Sequence, residues 1–213
     1  MSSCCIRTSR TTAAPAHRAG SAIASSISPP ALVQEAARAI RGRPCALPFV
    51  REPVTANATL ASTIEAAFRL RPEPLAIDDL LVRLTETLLD ADPSGPGTAT
   101  RIRLDEGALA RARRFLDAEV TRVIRSSELE ALTGLTRYDL ARQFRSAFGT
   151  SPYRYSLMRR LERARAHLRG AESLADVALS GGFADQAHLT RMFKSAFGLT
   201  PARYRALEAS HMS

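Results

Sequence analysis

The chain has no tryptophan, only one lysine (Lys194) and only three cysteines, and it contains no apolar run of membrane-spanning length. Each shortage excludes something. Cys4, Cys5 and Cys45 are odd in number and form no C-x-x-C pair, which argues against a disulfide framework and fits a reducing, cytosolic setting. Their spacing, and that of His17, His167 and His211, offers no metal-ligand set, so no metal and no cofactor are expected. No nucleophile–base pair and no phosphate loop accompanies them, so no catalytic residue is expected and the chain does not read as an enzyme. The first 28 residues lack acids and lack the apolar core of a secretory signal. They share an Arg-rich, acid-free composition with transit peptides, but we read 1–28 as a disordered tail or as sequence upstream of the natural start.

Charge is what the chain does have. The net charge is +9, and it is unevenly spread: residues 101–213 hold 20 of the 30 basic side chains and 12 of the 21 acids, against 10 and 9 in residues 1–100. A basic half of this kind is the electrostatic footprint of a nucleic-acid binder. Arginine dominates, with Lys194 alone as lysine, and we attach no function to that preference.

The pattern predicts an all-α fold. Helices are expected over Pro29–Gly42, Asn57–Leu70 and Leu75–Asp90, with the Pro-rich stretch 42–54 as a loop or at most an edge strand. Asp92–Thr100 carries Pro93, Gly95, Pro96 and Gly97, which is turn chemistry throughout. The domain reading is therefore a tail at 1–28, a helical region at 29–92, a linker at 93–104 and a second domain at 105–208. The stripe Ile77, Leu80, Leu81, Leu84 and Leu88 either packs on neighbouring helices or pairs two chains.

Residues 174–204 form the organising stretch. Leu174, Val177, Ala178 and Leu179 give a first helix its apolar face, and Gly181-Gly182 ends it. Asp185 is the N-cap of the next helix, whose Leu189, Met192, Phe193 and Phe197 recur at helical spacing. Gly198 closes it, and Thr200-Pro201 starts another. The outward face of the middle helix carries Gln186, His188, Thr190, Arg191 and Lys194, the layout of a helix that reads a major groove. A second copy lies upstream. LARQFRSAFGTSPYRY at 140–155 matches LTRMFKSAFGLTPARY at 189–204, and Leu129–Leu135 aligns with Val177–Phe183 once a one-residue gap is allowed in the turn. One supersecondary unit is used twice. Pro152–Leu168 lies between the copies as an Arg-rich helical spacer, able to set two reading helices about 34 Å apart, one DNA turn.

These features resemble the AraC/XylS family of bacterial transcription regulators: the paired units, the Arg160-Leu161-x-x-Ala164 spacer and the closing Phe-Gly-x-Thr-Pro-x-x-Tyr. The resemblance covers roughly residues 109–207. It implies two helix-turn-helix units in successive major-groove segments of double-stranded DNA. It places Arg137, Tyr138, Ala141 and Arg142 on the first recognition helix, and Gln186, Ala187, His188, Thr190 and Arg191 on the second. It also implies RNA polymerase as a protein partner, and a homodimer through residues 75–90 as one use of the leucine stripe. Most members carry a β-barrel sensor. No series of alternating strands precedes residue 100 here, so the region before the linker reads as the helical remnant of such a sensor.

Within that frame, Arg137 and Arg142 suit guanine, Arg191 suits either guanine or phosphate, Gln186 suits adenine, and Tyr138 suits a thymine methyl. Helix starts near Thr136, Asp185 and Thr200, with Arg145, Lys194, Arg203 and Arg205, suit phosphate. Asp139 either accepts from cytosine N4 or folds back onto Arg142 or Gln143, and we favour the second. The leading reading is a sequence-specific DNA-binding transcription regulator without catalysis. The alternative is a truncated helical interaction module, a dimerisation unit or decoy that reads no DNA sequence.

Overall fold

The computed structural model describes residues 30–48, 73–90, 92 and 102–211. The expected helix over Asn57–Leu70, the tail at 1–28 and most of the linker lie outside these residues. Everything regular among the described residues is helical. We number the helices α1 (Pro30–Arg41), α2 (Pro74–Asp90), α3 (Glu106–Ala118), α4 (Ser126–Thr133), α5 (Arg137–Phe148), α6 (Pro152–His167), α7 (Leu174–Ser180), α8 (Gln186–Phe197) and α9 (Pro201–His211). No helix among them is long and apolar enough to cross a membrane.

Capping side chains fix where most of these helices begin. Asp105 accepts from the Ala108 amide at 2.8 Å, Ser173 from Asp176 at 3.1 Å and Asp185 from His188 at 2.6 Å. Thr136 accepts from the Asp139 amide at 3.1 Å, and its hydroxyl donates to the Asp139 carboxylate at 2.8 Å. Asp139 is thus part of its own helix start and does not turn to Arg142 or Gln143. Each such cap satisfies one of the amides that a helix leaves unpaired, and is worth about 1 kcal/mol. Gly149 and Gly198 end α5 and α8 in the left-handed region, at φ 69° and 77°.

Two cores hold the C-terminal half. Leu109, Ala112 and Leu116 of α3 meet Leu129, Leu140, Phe144 and Tyr153 in the first. Leu161, Ala164 and Leu168 of α6 meet Val177, Ala178, Leu189 and Phe193 in the second. Leu157 touches both, which makes α6 the shared wall between the units. The repeat is exact enough to reach ring geometry. Phe144–Phe148 and Phe193–Phe197 centroids both lie 4.5 Å apart, and Phe144–Tyr155 and Phe193–Tyr204 both lie 5.6 Å apart.

A third core is formed by α1 and α2 against α5. Ala36 and Ala39 of α1, Leu81 and Val82 of α2, and Tyr138 and Ala141 of α5 bury one another. Of the stripe, Leu80 and Leu81 are buried inside the chain beside Leu75 and Val82, while Ile77, Leu84 and Leu88 are half-buried.

Candidate nucleic-acid interface

In each unit a short helix, a glycine turn and a longer helix follow one another. Gly134 and Gly182 occupy the turn at φ 75° and 77°. Gly182 sits tightest: a Cβ there would lie 2.9 Å from the Val120 carbonyl oxygen. Leu135 and Phe183 follow as the inward turn residues. The extra residue in the second turn, Ala184, shifts the cap from the position of Thr136 to that of Asp185, which is the one-residue gap seen in the alignment.

The second unit presents an open face. Gln186, Ala187, Arg191 and Lys194 are exposed, and Thr190 is half-buried with its hydroxyl donating to the Gln186 carbonyl at 2.8 Å. They line the outer side of α8, while Leu189, Met192 and Phe193 line the inner side. His188 does not share that outer face. It is 3% exposed, edge-on to Phe183 at 5.4 Å, and its Nε2 lies 3.9 Å from Glu73. Burial, with Arg160 and Arg191 nearby, pushes its pKa below the usual histidine value against the pull of Glu73 and Asp185. A neutral ring packed in the turn positions α8; it does not reach for DNA. The expectation that it reads bases is corrected by its place in the core: the Asp185 cap starts the helix so that position 188 turns inward.

The first unit carries the equivalent residues in a different setting. Tyr138 is 1% exposed and Ala141 4% exposed, both under α1 and α2. Burial pushes the Tyr138 phenol up to about 12. Arg142 donates from Nη1 to the Ile40 carbonyl at the end of α1. Arg137 pairs with Glu130 at 3.1 Å and Asp78 at 3.7 Å. Arg145 pairs with Glu86 at 2.8 Å and Asp79 at 3.3 Å. The face that the sequence marks for DNA is therefore covered by the chain's own N-terminal helices.

Among the other candidates for phosphate contact, Lys194 and Arg203 are exposed, and Thr200 accepts from the Arg203 amide at 3.3 Å. Arg205 folds back, its Nε donating to the Leu168 carbonyl at 3.2 Å. That bond ties α9 to the end of α6.

Sequence reasoning missed the acids. Glu73, just before α2, and Asp78 and Asp79 within it are buried where α2 meets α5 and α6. Glu73 holds Arg160 with two bonds, 2.8 and 2.6 Å, and Arg160 is only 1% exposed. Asp78 also accepts from the Ser126 hydroxyl, and the Glu128 carboxylate accepts from the Arg125 amide at 2.8 Å. Burial raises the Asp78 pKa, opposed by Ser126 and Arg137. A usable signal was present. Asp78 and Glu86 are eight residues apart, as are Arg137 and Arg145, so two helices running in the same direction match charge to charge.

Residues 129–207 match the family model described as a helix-turn-helix domain. The structure resembles a probable AraC family transcriptional regulator from Rhodopseudomonas palustris at 26% identity, covering 47% of this chain and 96% of that one, with a TM-score of 0.44. It also resembles the DNA-binding domain of AdpA, a global transcriptional factor solved with a target DNA, at 26% identity, 49% and 95% coverage and a TM-score of 0.46. An AraC-type regulator from Chromobacterium violaceum gives 28% identity, 47% and 91% coverage and a TM-score of 0.44. A search of curated protein sequences gave no match.

Proposed function

We propose that this chain, which carries an AraC-type tandem helix-turn-helix domain in its C-terminal half, is a sequence-specific DNA-binding transcription regulator. It acts without catalysis, in the cytoplasm, and α8 is its open reading helix. The observation that carries this reading is the outer face of α8. Gln186, Ala187, Thr190 and Arg191 stand together on a helix whose inner face is locked by Leu189 and Phe193. A guanidinium and a carboxamide on a rigid helix suit direct reading of guanine and adenine in the major groove. Lys194, Arg203 and the capped start of α9 flank that face as phosphate contacts. α5 is the equivalent reading helix of the first unit, with Arg137, Tyr138, Ala141 and Arg142 as its base-facing set.

Contacts with RNA polymerase would use surfaces other than these two faces. A homodimer through residues 75–90 would have to use what α2 leaves exposed, since its buried leucines already serve α1 and α5.

The test is selection of bound sequences by the full chain from a random duplex pool at two salt concentrations. The expected result is an enriched sequence motif that persists at the higher salt and is relaxed by Arg191→Ala. Binding that enriches no sequence and collapses with salt is a charge effect alone. That result would overturn sequence reading in favour of a helical interaction module.

A further inference from the structure

The second unit shows what the first would look like uncovered. Gln186, Ala187, Thr190, Arg191 and Lys194 correspond in the repeat to Arg137, Tyr138, Ala141, Arg142 and Arg145. Every member of the second set but half-buried Thr190 is exposed, whereas every member of the first is at least half-buried. Most of the difference comes from α1 and α2, which pack on α5 and leave α8 open, while Arg137 is also held by Glu130 of its own unit.

What covers the first set has the chemistry of the ligand it displaces. DNA would offer these arginines phosphate oxygens and guanine acceptors. Here Arg137 and Arg145 receive carboxylates from Asp78, Asp79 and Glu86, and Arg142 receives the carbonyl of Ile40. That carbonyl belongs to the last turn of α1, the negative end of its helix dipole. Tyr138 and Ala141, which would approach base edges, instead meet Ala36, Ala39, Leu81 and Val82. A duplex cannot reach α5 while these helices are in place.

We infer that α1 and α2 form an acidic cover on the first reading helix, so that the folded chain offers DNA only its second unit until the cover is displaced. This deepens, and rests on, the DNA-binding reading of the same domain. Two contacts of the cover are weak. Arg142 Nε is buried there with no hydrogen-bond partner among the described residues. Glu86 and Arg145 are partly exposed, so their attraction is screened. A cover closed in about nine molecules of ten would weaken apparent affinity for a two-box site about tenfold.

The experiment uses the full chain and a random-sequence duplex pool as the probe. Three proteins are compared: wild type, the double variant Asp79→Asn/Glu86→Gln, and Val33→Asp. Val33 packs against the third core from α1, and its replacement adds negative charge, so any gain in DNA binding opposes simple electrostatics. Circular dichroism establishes that each variant keeps its helices, and either one that does so carries the test alone. Wild type is expected to enrich a motif with a single box. The opened variants are expected to enrich two boxes about 10 base pairs apart and to bind that duplex about tenfold tighter than wild type. Arg142→Ala added to an opened variant should erase the second box only. Two boxes already enriched by wild type, or one box in a folded variant, would overturn the cover and leave DNA reading intact. No enriched sequence from any of the proteins would overturn both.

Discussion

Arg142 and Arg191 hold the same position in two copies of one unit, yet Arg142 donates to the Ile40 carbonyl beneath α1 while Arg191 lies open on α8. The local sequence around them is nearly the same. What differs is the helix packed on top, and the expected behaviour of the two arginines divides accordingly.

Arg191→Ala should weaken binding to a selected duplex by roughly 1–3 kcal/mol, the value of one good bidentate base contact. Arg142→Ala in the otherwise unaltered chain should change affinity much less. Fluorescence anisotropy on a single labelled duplex measures both. Equal losses would mean that both helices sit in DNA as the protein stands.

Glu73→Ala should destabilise the fold by about 3–5 kcal/mol, because it strands the Arg160 guanidinium inside. Replacing both partners, Glu73→Met with Arg160→Met, should cost less than Glu73→Ala alone. Urea unfolding midpoints of the three proteins check the order. A double variant less stable than the single one would show that Arg160 is needed for more than its partner.

Gly182→Ala should cost more than Gly149→Ala. Both residues have positive φ, which costs alanine about 1 kcal/mol. Only at Gly182 would the new Cβ meet backbone, at 2.9 Å from Val120 and Thr121, whereas Gly149 faces open space. Thermal unfolding of the two variants separates the conformational cost from the steric one.

His188 should make stability depend on pH. Burial holds its folded pKa below its unfolded value near 6.5, so its neutral form contributes stability that is complete above 6.5. That contribution is lost as pH falls through the folded pKa. The charged groups facing it are Glu73, Arg160, Arg191 and Asp185. Melting temperatures followed from pH 7.5 to 5 should fall more steeply for the parent chain than for His188→Gln. Parallel curves would contradict a buried neutral imidazole.

The all-α fold, the caps at Thr136 and Asp185 and the glycine stops at Gly149 and Gly198 were legible because each depends on a few neighbouring residues. The repeat was legible for the same reason, and it carries through to matched ring distances in both units. The cover over α5 was not. It joins Ile40 to Arg142 and Glu73 to Arg160 across 102 and 87 residues of chain, and no local period records such a pairing. His188 was misplaced because its polarity was read as outward, although a residue two positions after Gln186 lies on roughly the opposite side of a helix. The edge-on contact with Phe183, from the preceding turn, is what draws it in.

Interference by guanine N7 methylation on a selected duplex tests most directly whether α8 reads the major groove. Methyl groups at N7 project into that groove and leave the phosphate backbone unchanged. We predict that methylation at particular guanines within the enriched box blocks binding, and that Arg191→Ala removes the sensitivity at one of them. Binding that ignores N7 methylation throughout the box would contradict major-groove reading by α8.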